Sequence, residues 1–306
     1  MHVREVAQFR EANEVEHATD RILLRTGRFS LGRFDCPPRS PRWEQVNEMP
    51  AAPHVAFAGT NVVIQHVGRE PVLANWNHVV FYDGRQRYLR RLADPAGDHC
   101  LFVELDPGLV AELVGKDDFP FTHGPVSARP RLLLELVARA CDDRLAAEEM
   151  LLEVLAAAIA GASSLERRRP ARVSTDLAHA GLAEAAKEML ARDPAAPLSL
   201  YELARSLHVS EFHLARVFRA RTGYTLRGYR TELRLRLALS RLAEPGVDLS
   251  RLAHELGFAS HSHFTDSFRA AFGFPPSAVR DNGRGILRRA RAQAQDPSRR
   301  RQPARM

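Results

Sequence analysis

Between residues 20 and 107 the apolar residues come in short runs rich in β-branched and aromatic types. These are HVAFAG (54–59), NVVIQHVG (61–68), PVLANW (71–76), HVVFYDG (78–84) and HCLFVELD (99–106). Gly59, Gly68, Asp83-Gly84, Pro95 and Gly97 punctuate them, and runs of this length between turn residues predict strands. Several short strands at near-regular spacing predict an antiparallel sandwich or a small barrel. From residue 130 the period changes. Leu132, Leu133, Leu136, Val137 and Ala140 mark one helical stripe over 130–142, and Leu151, Leu152, Leu155 and Ile159 mark another over 145–160. This helical hairpin has apolar surface to spare, either for a second copy of the chain or for its own domain's sheet. A stretch rich in Gly, Ser, Pro and Arg follows, GASSLERRRPARVST (161–175), and reads as a linker.

Beyond residue 176 the pattern is helical throughout and contains an internal repeat. Leu203, Ala204 and Leu207 match Leu252, Ala253 and Leu256 at an offset of 49 residues. After one inserted residue, Ser210, Leu214, Phe218, Arg219 and Gly223 match Ser260, Phe264, Phe268, Arg269 and Gly273 at an offset of 50. A register change of one residue belongs in a turn. In each copy a short helix carries Leu-Ala on its inner side, a turn follows, and a serine N-cap starts a second helix. Ser199 and Glu202 form a capping box ahead of the first copy, and Gly257 suits a left-handed helix end in the second. Leu214, Val217 and Phe218 point inward in the first copy, as do Phe264 and Phe268 in the second. Glu211, Phe212, His213, Ala215, Arg216 and Arg219 are left outside in one, and His261, Ser262, His263, Thr265 and Asp266 in the other. Such a unit presents the start of its second helix to base edges and later basic residues to phosphate. Between the copies, 225–244 reads as one long helix with an inner stripe of Leu226, Tyr229, Leu233, Leu237 and Ala238. Its length of roughly 27 Å is near the ~34 Å repeat of successive major grooves.

Charge sharpens this division. The formal net charge is +7, yet residues 1–165 hold 18 basic against 23 acidic side chains, while 284–306 hold 8 against 1. The first half repels polyanions on average, and the Arg-rich tail attracts them and is expected to be disordered. Basic residues are almost all arginine: Lys116 and Lys187 are the two lysines. No apolar run is long enough for a membrane span, and the charged start lacks the apolar stretch of a signal peptide. A cytoplasmic chain with no membrane partner is the expectation. Cys36, Cys100 and Cys141 form no CxxC pair and predict neither a disulfide framework nor a zinc finger. His261 and His263, two apart on a helix, point about 200° from each other and do not make a metal pair.

The pattern LAxxLxxSxxxLxRxFRxxTGYTxxxY…LRLxxAxxxL, followed by LAxELGFxSxSxFxxxFRxxFGFPPxxxR, covers about 198–280 and resembles the AraC family of transcription regulators. The resemblance implies an α+β chain. Its N-terminal cupin-like antiparallel β-barrel with helical hairpin (1–165) would bind an effector or dimerise. Beyond a linker (166–175) comes an all-α DNA-binding domain with two helix-turn-helix units (176–283), then a basic tail (284–306). It implies seven helices bending over two successive major grooves, and double-stranded DNA as partner. It further implies a homodimer, a small-molecule effector, and RNA polymerase if the protein activates. Carried over residue by residue, the base-contact positions fall on Glu211, Phe212, Ala215 and Arg216, and on His261, Ser262, His263 and Asp266. Ser210, Ser260, His213, Arg219 and Arg269 complete the DNA-facing set. Ala215 is too short for a polar contact, Asp266 stands where a basic residue is common, and Arg241 where the pattern usually has leucine. The segment FDCPPRSPRW…HVGREPVLANWNHVVFYDGRQRY has the character of the family's N-terminal domains.

Three other readings bear on the cysteines and histidines of the chain. A DNA-alkylation repair protein can carry such a DNA-binding module, but its zinc-held thiol acceptor needs about four clustered cysteines. A metal cupin would want paired histidines, and His54, His66, His78 and His99 lack that spacing. No catalytic residues, metal or cofactor are therefore expected. A sensor built on Cys36 and Cys100 needs strands that bring them together.

Overall fold

The strand β7 (His78–Tyr82) is buried at all five positions, as a strand covered on both faces must be. In the computed structural model, which describes residues 17–140, 144–167, 173–242 and 246–281, β7 lies in a six-stranded antiparallel sheet. The order is β1 (Thr19–Arg25), β2 (Phe29–Cys36), β9 (Asp98–Leu105), β4 (His54–Ala58), β7 and β10 (His123–Pro125). A second sheet has the order β3 (Val46–Glu48), β8 (Arg87–Leu92), β5 (Val62–His66) and β6 (Val72–Ala74). Alternation along β7 explains how the two sheets stack. Val80 and Tyr82 meet Val62, Ile64, Val72, Ala74 and Tyr88 of the second sheet. Val79 and Phe81 point the other way, into a core shared with helices. The barrel implied by the family resemblance is not closed among the described residues. Pairing stops at β1 and β10 in one sheet and at the three-residue β3 and β6 in the other, so the sandwich alternative is the better description. The antiparallel sheets and the helices that follow make the chain α+β.

α1 (Pro107–Val114), α2 (Ala128–Ala140) and α3 (Arg144–Glu166) close the outer face of the larger sheet. The α3 stripe differs in phase from the sequence expectation. Met150, Leu151, Val154, Leu155, Ala158 and Ile159 are buried, while Leu152 is 39% exposed. At 100° per residue Leu152 falls outside an arc centred between 151 and 154. Leu151 and Leu155 therefore serve the chain's own core, and α3 turns Leu145 and Leu152 outward. Leu151→Glu should unfold the chain or cost more than about 4 kcal/mol, whereas Leu152→Glu should stay within about 0.5 kcal/mol of the parent. Thermal unfolding of the two variants checks this, and equal effects would contradict the assigned phase.

Seven helices follow: α4 (Val173–Arg192), α5 (Leu200–Ser206), α6 (Glu211–Thr222), α7 (Leu226–Arg241), α8 (Leu249–Glu255), α9 (His261–Phe272) and α10 (Pro276–Asp281). The segment expected as a linker is partly helical, with α3 reaching Glu166 and α4 starting at Val173. The basic tail lies outside the described residues. α5, α6, α4 and α7 enclose one core built on Leu203, Ala204, Leu214, Phe218, Tyr229 and Leu233. The core of α8 and α9, by contrast, is continuous with that of the N-terminal half. α7 makes the link: Tyr229 and Leu233 face the first core, while Leu235 and Ala238 face the second. Leu235, outside the predicted stripe, is buried for this reason.

The two halves meet along a polar seam. The Leu73 amide donates to Glu184 Oε2 at 2.6 Å, and Lys187 Nζ donates to the Leu73 carbonyl at 2.8 Å. Lys187 is paired with Glu184 at 2.8 Å and lies 3.4 Å from His78 Nε2. The Asn75 side-chain oxygen accepts from His78 Nδ1 and from the Asn77 amide, and its nitrogen donates to the Tyr229 hydroxyl. With Nδ1 donating and Nε2 accepting, His78 is the neutral tautomer. Next to this network Trp76 packs edge-on against Phe272, and the Arg131 guanidinium lies over the Trp76 ring.

Buried histidines make the fold sensitive to acid. Desolvation, with Lys187 nearby, holds His78 well below the ordinary imidazole value; desolvation holds His66 down to about 4 and also lowers His54. A histidine lowered in the folded state contributes stability above pH 6.5 that is lost as pH falls toward its folded pKa. Glu232, raised by burial to about 7, acts oppositely: it favours folding at acid pH and loses that contribution as pH rises through 7. Asp83 and Asp98 are also raised by burial but start from 3.8, below this range, so the three histidines are expected to outweigh Glu232 and the melting temperature to fall between pH 6.5 and pH 5. Each fully shifted histidine contributes about 1.4 kcal/mol per pH unit. His66→Gln should flatten the slope, and a melting temperature unchanged between pH 7 and pH 5 would contradict the assignment.

Candidate nucleic-acid interface

The pairs α5–α6 and α8–α9 are built alike down to their caps. Ser199 caps α5 in a capping box with Glu202, and Asp248, 49 residues later, caps α8 by accepting from the Ser250 and Arg251 amides. Each first helix ends in the same bonds. The Val209 amide reaches the Ala204 carbonyl at 3.1 Å, and the Phe258 amide the Ala253 carbonyl at 2.9 Å. The turn residue before each is left-handed, His208 at φ 56° and Gly257 at φ 76°. Glycine is needed at 257 for space as well, since a Cβ there would sit 2.5 Å from the Ala195 carbonyl oxygen. Ser210 and Ser260 then cap the second helices by accepting from the His213 and His263 amides. Both helices end on a left-handed glycine, Gly223 and Gly273.

These caps fix which side chains face outward. Leu214, Val217 and Phe218 are buried on α6, and Phe264, Phe268 and Phe272 on α9. Glu211, Phe212, Arg216 and Arg219 are exposed, with Phe212 at 80%, while His213 and Ala215 are half-buried. On α9 His261, Ser262, His263, Asp266 and Arg269 are all exposed. The His213 ring packs edge-on against His179, and the His263 ring against Phe258, so both imidazoles are held at one edge. The oxygens of Ser210 and Ser260 are engaged as caps. No ion pair is found for Arg216, Arg219 or Arg269 among the described residues, whereas Arg241 and Arg251 pair with Glu255. The first three guanidiniums thus keep their donors available to an outside acceptor. Arg227 and Arg230, on α7 beside Phe212 and Arg216, line the same surface cleft. Their place in the predicted helix did not reveal that proximity.

A second candidate site lies between the two sheets: a cavity of about 430 Å³, walled by apolar residues of β2, β5, β7 and β9. Its exposed rim carries Asp20, Ile22, Arg42, Glu48 and Pro50. Cys36 and Cys100 lie on paired strands, but Cys36 stands opposite Asp98 and Cys100 opposite Phe34. Such a diagonal leaves the two sulfurs too far apart for a disulfide without strand movement. Burial pushes the Cys100 thiol well up, which disfavours the reactive thiolate. No group of three or more histidine, cysteine or acidic side chains is arranged to hold a metal among the described residues. No described helix is long and apolar enough to cross a membrane.

A family profile described as a helix-turn-helix domain matches residues 203–282, from the middle of α5 to just past α10. The chain is 38% identical over 84 residues to the HTH-type transcriptional regulator YidL of Escherichia coli (strain K12), covering 28% of each protein. It is 36% identical over 117 residues to an AraC-like transcription regulator of Streptomyces lividans, covering 37% of this chain and 38% of that one. To an AraC-like regulator of Streptomyces antibioticus it is 29% identical over 171 residues, covering 53% and 56%. The matches thus span less than two thirds of these relatives' lengths. The matched segment contains both capped helix pairs, and by that segment the chain belongs to the AraC family of transcription regulators.

Proposed function

We propose that the chain is a sequence-specific DNA-binding regulator in which each helix pair acts as a helix-turn-helix unit, α6 and α9 each entering a major groove of double-stranded DNA. The observation that carries this reading is the like capping of two helices whose outward faces hold arginines with no ion-pair partner among the described residues, Arg216 and Arg219 on one and Arg269 on the other. α7, with 16 residues, holds them apart by about 24 Å of helix. Arg216 can make a bidentate contact with guanine, and Arg219 and Arg269 are placed for phosphate. His261, Ser262 and His263 offer hydrogen bonds at the start of α9, and Glu211, Phe212 and Ala215 lie beside Arg216 on α6. Asp266 can accept from a cytosine amine.

The N-terminal half, in this reading, senses a small molecule held between its sheets, and 166–175 divides it from the DNA-binding half. A homodimer would use the outward leucines of α3, Leu145 and Leu152. Affinity for a specific duplex should fall steeply with salt, because neutralising phosphates releases counterions. A fluorescence anisotropy titration from 50 to 200 mM salt, a range over which several phosphate contacts cost orders of magnitude, reads this directly. Flat affinity over that range would overturn the proposed surface.

A further inference from the structure

An ion pair that bridges the two sheets lines the inter-sheet cavity. Arg90 comes from β8 and Asp98 from β9, with Nε and Oδ2 3.2 Å apart, and both side chains are nearly inaccessible, at 6% and 4%. The guanidinium stacks on the Phe34 ring at 4.2 Å, and its Nη2 donates to the Tyr88 hydroxyl at 3.2 Å. Three polar atoms of this buried pair have no hydrogen-bond partner among the described residues: Arg90 Nε, whose contact with Asp98 Oδ2 is an ion pair without hydrogen-bond geometry, Arg90 Nη1 and Asp98 Oδ1. Both side chains line the cavity. A buried polar atom without a partner is unfavourable, so the pair favours anything that supplies the missing acceptor and donor.

The charges also define what can enter. Arg90 and Asp98 balance each other, so an anion brought to Arg90 meets Asp98, and a cation brought to Asp98 meets Arg90. Asp20, Glu48 and Glu104 outnumber Arg42 among the other charged lining residues, which further disfavours an anion. Apart from this pair and the tyrosine hydroxyls, the inner walls are chiefly carbon: Phe34, Phe102, Val62, Ile64 and Val80. The volume lies in the lower range of small-molecule sites.

We propose that this cavity takes an uncharged, mainly apolar small molecule of lactam or amide type, whose acceptor faces Arg90 and whose adjacent donor faces Asp98. The proposal rests on the reading of the cavity as an effector site and names the chemistry of its ligand. Isothermal titration and thermal-shift measurements on the full chain, without DNA, use three bicyclic probes of one shape. 2-Quinolone carries the donor–acceptor edge, quinoline an acceptor only, and 2-naphthoate a negative charge. The expected result is that 2-quinolone binds at least about tenfold more tightly than either of the others.

Replacing the pair together, Arg90→Met with Asp98→Leu, preserves packing where a single truncation would leave a buried charge. That variant should hold quinoline and 2-quinolone within about twofold of each other. Asp98→Asn, leaving Arg90 unbalanced, should gain most for 2-naphthoate. Tightest wild-type binding of 2-naphthoate, equal binding of quinoline and 2-quinolone, or a lactam preference surviving in the double variant would each overturn the proposal. If none of the three binds, the effector reading of the cavity falls with it. DNA binding, measured separately, would be untouched by that outcome.

Discussion

Lys187→Ala is expected to destabilise the chain by about 3 kcal/mol and to split its thermal unfolding into two transitions. The Lys187 side chain is 2% exposed, and the three donors of its ammonium have three acceptors within reach: the Leu73 carbonyl, Glu184 and His78 Nε2. Burial lowers its pKa and Glu184 opposes that shift, so the charge is retained through its partner. Removing one member of a buried pair leaves the other uncompensated, at a cost of about 3–5 kcal/mol. Glu184 keeps some access to water, with 28% of its side chain exposed, which places the expected loss at the lower end. Lys187 stands on α4 while two of its acceptors stand on β6 and β7, so the lost contacts are those that couple the halves. Calorimetry reads both effects, and a single transition within about 0.5 kcal/mol of the parent would show that the seam does not join them.

Arg216→Ala is expected to weaken binding to a selected duplex by about tenfold or more, and only for sequences carrying the guanine it reads. A bidentate arginine–guanine contact is worth about 1–3 kcal/mol of discrimination. Arg216 is exposed, without an ion-pair partner among the described residues, and lies between Phe212 and Arg219 on one helix face. His261→Ala should disturb the other half of the site, about one helical turn away, and by less, because a neutral imidazole makes one hydrogen bond. The losses should add, since the residues stand on separate helices joined by rigid α7. Competition titrations with single-base variants of the duplex test this. Effects on the same base pairs, or uniform weakening of every sequence, would contradict a one-groove-per-helix assignment.

The elements most open to reading in advance were those with strictly local causes. Serine caps, Leu-Ala pairs and closing glycines recur at 49 and 50 residues because each satisfies its own helix end, and the structure repeats their hydrogen bonds at those offsets. β4 to β7 and β9 were apparent from their apolar runs. β8 was not, since RYLRRL has three arginines, and Arg90 is buried only because Asp98 arrives from another sheet. The phase of α3 was ambiguous because Met150, Leu151, Leu152, Val154 and Leu155 offer overlapping stripes, and only the sheet beneath decides between them. The seam left no local signal. Asn75, His78 and Lys187 are polar residues with no burial signal of their own, and Tyr229, expected on the inner stripe of its helix, gives no sign in the sequence that its hydroxyl meets Asn75. The one oddity was a lysine at 187 in a chain that otherwise uses arginine almost throughout. A compact ammonium on a flexible stem meets three converging acceptors where a planar guanidinium would not.

In the proposed complex α6 and α9 read two successive major grooves. Selection of duplexes from a random pool by the full chain, followed by sequencing of the bound population, tests it most directly. The expected result is two short blocks of preferred bases with centres about 10 base pairs apart, one losing its guanine preference in Arg216→Ala and the other weakened in His261→Ala. A single preferred block, or a bound pool no different from the starting one, would contradict it.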